Sequence, residues 1–239
     1  MAAGHRAAQV VGAPESVLLE LVGGAPVRPV EPPRDHISAW VEAARRLDGE
    51  ALDAGFRKEL SLLGAERFAT ERVLPFLRAL GDAWISGKLE IFQEHYASNR
   101  LRDLLSRTTR DLADVARGAA VVLAALPADR HALALHVAAL FAAVHGWRPA
   151  FLGPDTPMAD IVRAVAQSRA EAIVISVTDG GDGGVPSALR VDQVRALRAA
   201  LPPDVELLMG GSGAPVHLAG VRFLPHLSAL ADWAARRTD

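Results

Sequence analysis

The sequence predicts an α/β chain: a four-helix bundle followed by a doubly wound, five-stranded parallel sheet. Three observations carry that prediction. Long Ala/Leu/Arg/Glu segments with helical apolar spacing fill residues 37–108. Beyond Arg117, short apolar runs alternate with helix-patterned segments. Each apolar run ends in a loop rich in Gly, Pro, Asp, Ser or Thr. In an open sheet of this kind ligands sit at the carboxyl ends of the strands, so those loops are where function is expected.

Taken in order, residues 1–36 read as an irregular arm, because 22-VGGAPVRPVEPPRD-35 is crowded with Gly and Pro. Residues 37–115 form the bundle. Its segments 41-VEAARRL-47, 52-LDAGFRKELSLLG-64, 66-ERFATERVLPFLRALGDAWIS-86 and 88-KLEIFQEHYASNRLRDLLSRT-108 repeat apolar residues every three or four positions, as a helix with one buried face does. Residues 116–239 form the sheet domain. The run 119-AAVVLAAL-126 is apolar without alternation, the mark of a parallel strand covered on both faces. Helix 131–146, closed by Gly146, then 148-RPAFLG-153, helix 157–169, strand 171–178, helix 188–200, strand 204–211, the short 221-VRFL-224 and a last helix follow.

Composition narrows the function. Of 239 residues half are hydrophobic, and the net charge is −2 with basic and acidic residues interspersed, so no electrostatic footprint for nucleic acid is present and direct DNA binding is not expected. There is no cysteine, which excludes disulfides, thiolate metal sites, Cys nucleophiles and thioether-linked chromophores. No signal-peptide pattern appears and no apolar run approaches the ~20 residues that span a bilayer, so a cytoplasmic protein without a membrane partner is expected.

The loops after the strands hold the unusual residues. In 127-PADRH-131, Asp129 and His131 have two readings. Asp129 caps the next helix with His131 in its first turn, or His131 ligates a metal through one ring nitrogen while Asp129 accepts from the other. A metal held that way, with no neighbouring ligands, must bring most of its coordination sphere, which points to a macrocycle. Gly210 and Gly211 after the fourth strand permit close backbone approach by a flat group, and Ser176 and Thr178 after the third offer hydroxyls to it. As alternatives, Gly-Gly makes a tight turn and Ser/Thr are common at strand ends. In the bundle, 84-WISGKLEIFQEH-95 separates Trp84 from Glu94-His95 by nine residues. In one unbroken helix Trp84 and His95 stand about 16 Å apart. A break at Gly87, with Ser86 capping the helix that follows, lets the two ends address one ligand. The plainer alternative makes Trp84 core and Glu94-His95 solvated surface. The loop 178-TDGGDGG-184 either borders a second ligand or is simply long, and His136, His145, His217 and His226 are read as surface or packing residues.

These residues together resemble the cobalamin-binding family, which has a Rossmann-like, flavodoxin-like domain. The resemblance implies that Asp129 and His131 are the lower-ligand loop, with His131 on the metal, and that Ser176, Thr178, Gly210 and Gly211 line the cleft for the cofactor's displaced nucleotide. Where that family has a glycine three residues after the histidine, this chain has Ala134. The Trp84, Glu94 and His95 spacing, with 153-GPDTP-157, is similar to the photoreceptor branch, the CarH and LitR type of light sensors. By that resemblance these three residues cap the adenosyl group of adenosylcobalamin on the upper face of its cobalt. Two features depart from that type: no helix-turn-helix precedes the bundle, and Ile85 stands where a histidine follows the tryptophan. Both departures resemble the photocobilin branch, which also binds a bilin; biliverdin here would be non-covalent.

The resemblance therefore implies a photoreceptor and not an enzyme. Light-driven Co–C bond cleavage would become a conformational or oligomeric change in a homo-oligomer, dimer or tetramer, or in contact with a separate signalling partner. The alternatives are a corrinoid protein of a methyltransferase system and a cobalamin-binding antirepressor. A nucleotide-binding doubly wound domain ranks last, since neither Gly-x-Gly-x-x-Gly nor a phosphate loop is present.

Overall fold

The computed structural model describes residues 35–178, 187–214 and 218–236. The arm before Asp35, most of 178–184 and His217 lie outside the described residues. From His36 onward the chain is a single compact unit.

The bundle opens with α1 (His36–Arg45) and α2 (Gly49–Leu63). Asp48 caps α2 by accepting from Ala51 N at 3.0 Å, and Gly64, at φ 75°, ends it and lets the chain turn at once into α3 (Ala65–Phe68). The 66–86 segment is not one regular helix. Between α3 and α4 (Leu74–Ile85) lies a π turn, Ala69–Val73, in which Leu74 N–H reaches back to Ala69 O. Pro75 supplies the cause: it has no N–H to give to Glu71, and its ring crowds that carbonyl, so the preceding turn widens. After a turn, α5 (Ile91–Val115) completes the bundle. Trp40, Phe56 and Phe76 form its centre in edge-to-face contacts, with ring centroids 4.7 to 5.6 Å apart.

The sheet contains β1 (Ala120–Ala125), β2 (Arg148–Gly153), β3 (Ala170–Ser176), β4 (Glu206–Gly210) and β5 (Val221–Leu224), all parallel in the order β2-β1-β3-β4-β5. Every residue of β1 is buried, as its unalternating sequence requires. Helices α6 (Leu133–Val144) and α9 (Leu227–Ala235) cover one face, and α7 (Met158–Ser168) and α8 (Ser187–Ala200) the other. This is the doubly wound arrangement the sequence predicts. Helix α6 is buried at eight of its twelve positions because the sheet lies on one side and α5 on the other, and the bundle core continues through it onto the sheet.

His136 marks that junction. It stacks on Phe151 with centroids 4.3 Å apart and meets Ser106 Oγ of α5 at 3.2 Å through Nδ1. Burial first, and then the nearby charge of Arg102, push its pKa down to about 4, against a smaller opposing pull from Asp103. A histidine with a folded pKa below its unfolded value binds fewer protons folded than unfolded, so it destabilises the fold as pH falls through that interval. Stability should therefore fall between pH 6.5 and pH 4, by about 1–2 kcal/mol once solvent screening of this partly exposed ring is allowed for. Urea titrations of the protein and of His136→Gln across that range check it; equal slopes in both would refute the assignment.

Candidate functional site

In the strand order found here, the chain reverses direction of winding between β1 and β3, and the loops after these two strands meet there. Asp129 and His131 come from the first loop and Thr178 from the second.

Asp129 is the hub. Its side chain is fully buried, and it accepts from Thr178 N at 2.8 Å, Thr178 Oγ1 at 2.7 Å and His131 N at 3.2 Å. His131, two thirds exposed, brings Nδ1 to 2.9 Å from Thr178 Oγ1 and 3.4 Å from Asp129 Oδ1. A carboxylate only accepts, so the Thr178 hydroxyl gives its proton to Asp129 and must receive from His131 Nδ1–H. That assignment of hydrogens leaves the lone pair on Nε2, the nitrogen a metal would take. The expected Asp–His pairing is thus present with Thr178 inserted as a relay. Thr178 serves the ligand loop, whereas its expected role was to face a flat group in the cleft.

Asp129 does not cap α6, which begins only at Leu133 with Ala132 before it. The loop is instead pinned by the segment after β2. Asp155 Oδ1 accepts from Ala128 N at 2.7 Å, and Asp155 N donates to Asp129 O at 2.8 Å. Both Ala128 (φ 67°) and Asp155 (φ 50°) adopt left-handed backbone, a cost these bonds offset. Asp155→Ala should release the loop, costing about 1 kcal/mol and raising hydrogen exchange at the Ala128 amide. Arg190 of α8 presses in from behind. It is 3% exposed, donates to Pro127 O at 3.1 Å and lies 3.9 Å from Asp129 Oδ2. Neither Asp155 nor Arg190 was singled out from sequence, apart from the 153–157 loop as a whole.

A cavity of about 430 Å³ opens between the ends of β3, β4 and β5 and helices α6 and α9. It gathers Ser176, Gly210, Gly211 and Ala134, so four positions scattered through the sequence share one lining. Ser176 is 6% exposed, and its hydroxyl has no partner among the described residues. The lining also includes residues to which the sequence analysis gave no role here, among them Arg78, reaching over from α4, and His226, whose Nδ1 caps α9 by accepting from Ala229 N at 3.1 Å.

The Trp84 region differs from both of its sequence readings in part. Trp84 ends α4 and is 49% exposed, so it is not core, and Ile85 beside it is 78% exposed. The helix breaks after Ser86 as expected, with Gly87 at φ 71°. Ser86 closes α4 by donating to Ala83 O, however, and does not cap α5. Glu90 does that, in a reciprocal capping box with Gln93, because buried Leu89 anchors the turn and delays the next helix. Glu94 then falls in the first turn of α5, with His95 directly after it. Glu94 accepts from Ser98 and meets His95 Nδ1 at 2.6 Å, which orients both. No ring contact or hydrogen bond joins Trp84 to this pair among the described residues.

No group of three His, Cys, Asp or Glu suited to a metal is found among the described residues, so an ion at His131 would bring its other donors with it. No described helix is long and apolar enough to cross a membrane.

Residues 37–108 match the model of the B12 binding domain. The chain is 28% identical over 198 residues to the HTH-type transcriptional repressor CarA of Myxococcus xanthus, and 29% identical over 190 residues to the HTH-type transcriptional repressor CarH of the same organism. These alignments cover 80% and 78% of this chain but only 65% and 62% of the two repressors, just under two thirds of their length. Among solved structures, the monomethylamine corrinoid protein of Methanosarcina barkeri superimposes with a TM-score of 0.64 at 13% identity, over 82% of this chain and 95% of that one. That likeness is of fold: helices followed by the five-stranded Rossmann-like sheet of corrinoid proteins. By these matches residues 37–108 are similar to the B12 binding domain, and that similarity supports a cobalamin as the cofactor.

Proposed function

We propose that this chain is a cobalamin-dependent photoreceptor, a signalling module and not an enzyme, with adenosylcobalamin as its dark-state cofactor. One observation carries the reading: a solvent-facing imidazole, His131, tied through Thr178 to a buried carboxylate so that Nε2 is free to ligate, three residues before Ala134, which lines a 430 Å³ cavity. The donor set fits the group, since a macrocycle needs one axial ligand from the protein and the glycine-lined cleft admits a close neighbour. When bound, adenosylcobalamin supplies a cobalt–carbon bond that visible light breaks.

The chain's own residues would divide the work. His131 donates Nε2 to cobalt, and Thr178 and Asp129 hold its tautomer. To the adenosyl group we assign Trp84, whose exposed indole offers an apolar face, together with Glu94 and His95, already oriented by each other and by Ser98. These contacts exist only in the dark state, and a bias between two states requires such a difference. Helix α5, which carries Glu94 and His95, packs along α6 and so links them to the sheet domain. The output we propose is a changed self-association, between dimer and tetramer, or a changed contact with a signalling partner. The names of the two M. xanthus relatives favour a regulatory setting. Ile85 has no donor atom, so no second imidazole is available from that position in the light state. In the fullest form of the reading a non-covalent biliverdin adds a red absorption band.

The test is the absorption spectrum of protein reconstituted in the dark with adenosylcobalamin, before and after green light. An irreversible change on illumination is expected, and His131→Ala should lose the axial-histidine signature and bind at least ~10-fold more weakly, on the scale of a lost metal-site contact. Failure of adenosylcobalamin to bind would overturn the reading. The methyl-carrier alternative is separated by Trp84→Ala: a sensor loses its preference for the adenosyl form over the methyl form, whereas a methyl carrier keeps methylcobalamin unchanged.

A further inference from the structure

The cavity wall contributed by the bundle has chemistry of its own. Leu74, Leu77 and Arg78 are spaced three and four residues apart, so they share one face of α4 and line the cavity together. The two leucines are half-buried, closing an otherwise apolar slot, and Arg78 stands exposed at its rim. Arg72, one turn and a half earlier, is neutralised by Glu59 at 2.7 Å. Arg78 has no carboxylate or other hydrogen-bond partner among the described residues. The cavity lining contains no Asp or Glu; its polar members are Arg78, His226 and serines, among them buried Ser176, without a side-chain partner among the described residues, and Ser228 at the start of α9, whose hydroxyl meets His226 Nδ1 at 2.7 Å. A slot that is apolar inside, supplied with hydroxyls and provided with a single uncompensated guanidinium at the mouth, suits an aromatic group bearing a phosphodiester.

We propose that Arg78 is a specificity residue that reads the phosphodiester of the corrinoid's nucleotide, so that a bundle helix registers whether a complete cobalamin or only its corrin ring has bound. This rests on the B12-binding reading. It adds to it a role for the bundle on the nucleotide side, separate from Trp84, Glu94 and His95. Because Leu74 and Leu77 flank the arginine, filling the slot also draws α4 onto the sheet domain, and a corrinoid without the nucleotide lacks that connection.

The experiment compares cobalamin with cobinamide, which has the corrin ring and no nucleotide or phosphodiester, by equilibrium binding to the wild type, Arg78→Met and Arg78→Lys. Arg78 is exposed, so thermal unfolding of the apo variants should match the wild type. Arg78→Met should weaken cobalamin about 10- to 30-fold, the loss of one charge-assisted contact, and leave cobinamide within about twofold. Arg78→Lys should recover part of the affinity for cobalamin, and raised salt should weaken cobalamin binding to the wild type more than to Arg78→Met. Equal losses for both ligands, or no loss for either, would overturn the assignment of Arg78. Equal wild-type affinity for the two ligands would overturn it while sparing the B12-binding reading, and binding of neither would remove both.

Discussion

Asp129→Ala is expected to destabilise the protein, with no cofactor present, by about 3–5 kcal/mol. The side chain is fully buried and sits 3.9 Å from Arg190, itself 3% exposed. Removing the carboxylate leaves that guanidinium charged, out of water and without its one ion partner among the described residues, where its Nε already lacks a hydrogen-bond partner. Thr178 loses acceptors for both its N–H and its hydroxyl at the same stroke. Urea unfolding of the apo protein reads the loss directly. His131→Ala is the necessary contrast, because His131 is 68% exposed at the side chain and its removal uncovers nothing buried. It should change apo stability by no more than about 0.5 kcal/mol. If Asp129→Ala proved as mild as His131→Ala, the carboxylate would not be the structural hub described here, and the case for a preset histidine would fall with it.

How far such a site can be read from sequence depends on whether a residue acts through its own loop or through one far away. The strands were legible because burial on both faces writes a continuous apolar run, as in 119-AAVVLAAL-126, and the observed β1 lies within it. The contact between Asp129 and His131 was legible because the two stand in one loop, two residues apart. Thr178 was named, but its task was not: a hydroxyl forty-nine residues away from its acceptor carries no local signal that it will bridge Asp129 to His131. Arg190 looks like any surface arginine on a helix, and only the packing of α8 against the β1 loop buries it. Arg78 was invisible for the opposite reason, since a cation on a helix ordinarily means solvent, and only the fold reveals that the neighbouring leucines line a cavity. In the bundle, Pro75 was in plain view within 66–86, and the widened turn before it follows from its missing N–H. Ser86 misled because capping preference identifies a residue type without saying which of two adjacent helices it serves.

The glycine pair gives the second large effect, and it separates two residues the sequence presents as equivalent. Gly211 has φ 116°, where an L side chain is strained, and a Cβ built there would lie 2.1 Å from Val177 O and 2.9 Å from its carbonyl carbon. Val177 cannot yield, because its N–H donates to Gly210 O at 2.9 Å and its carbonyl accepts from Gly213 N at 3.1 Å. Gly210 has no such dihedral; its Cβ would meet Leu224 O at 3.1 Å, a distance relieved by a shift of a few tenths of an ångström. Gly211→Ala should therefore cost about 3 kcal/mol or more, combining left-handed backbone strain with displacement of the β3 and β4 ends, while Gly210→Ala should stay near 1 kcal/mol. The stability loss is only half of the consequence. Both glycines line the cavity with Ser176, so a forced separation of the two strand ends moves the hydroxyl as well as the wall. Cobalamin affinity should then fall further for Gly211→Ala than for Gly210→Ala even at temperatures where both variants are fully folded. Comparable melting temperatures for the two alanine variants would show that the turn after β4 relaxes freely, and that its backbone does not set the shape of the cleft.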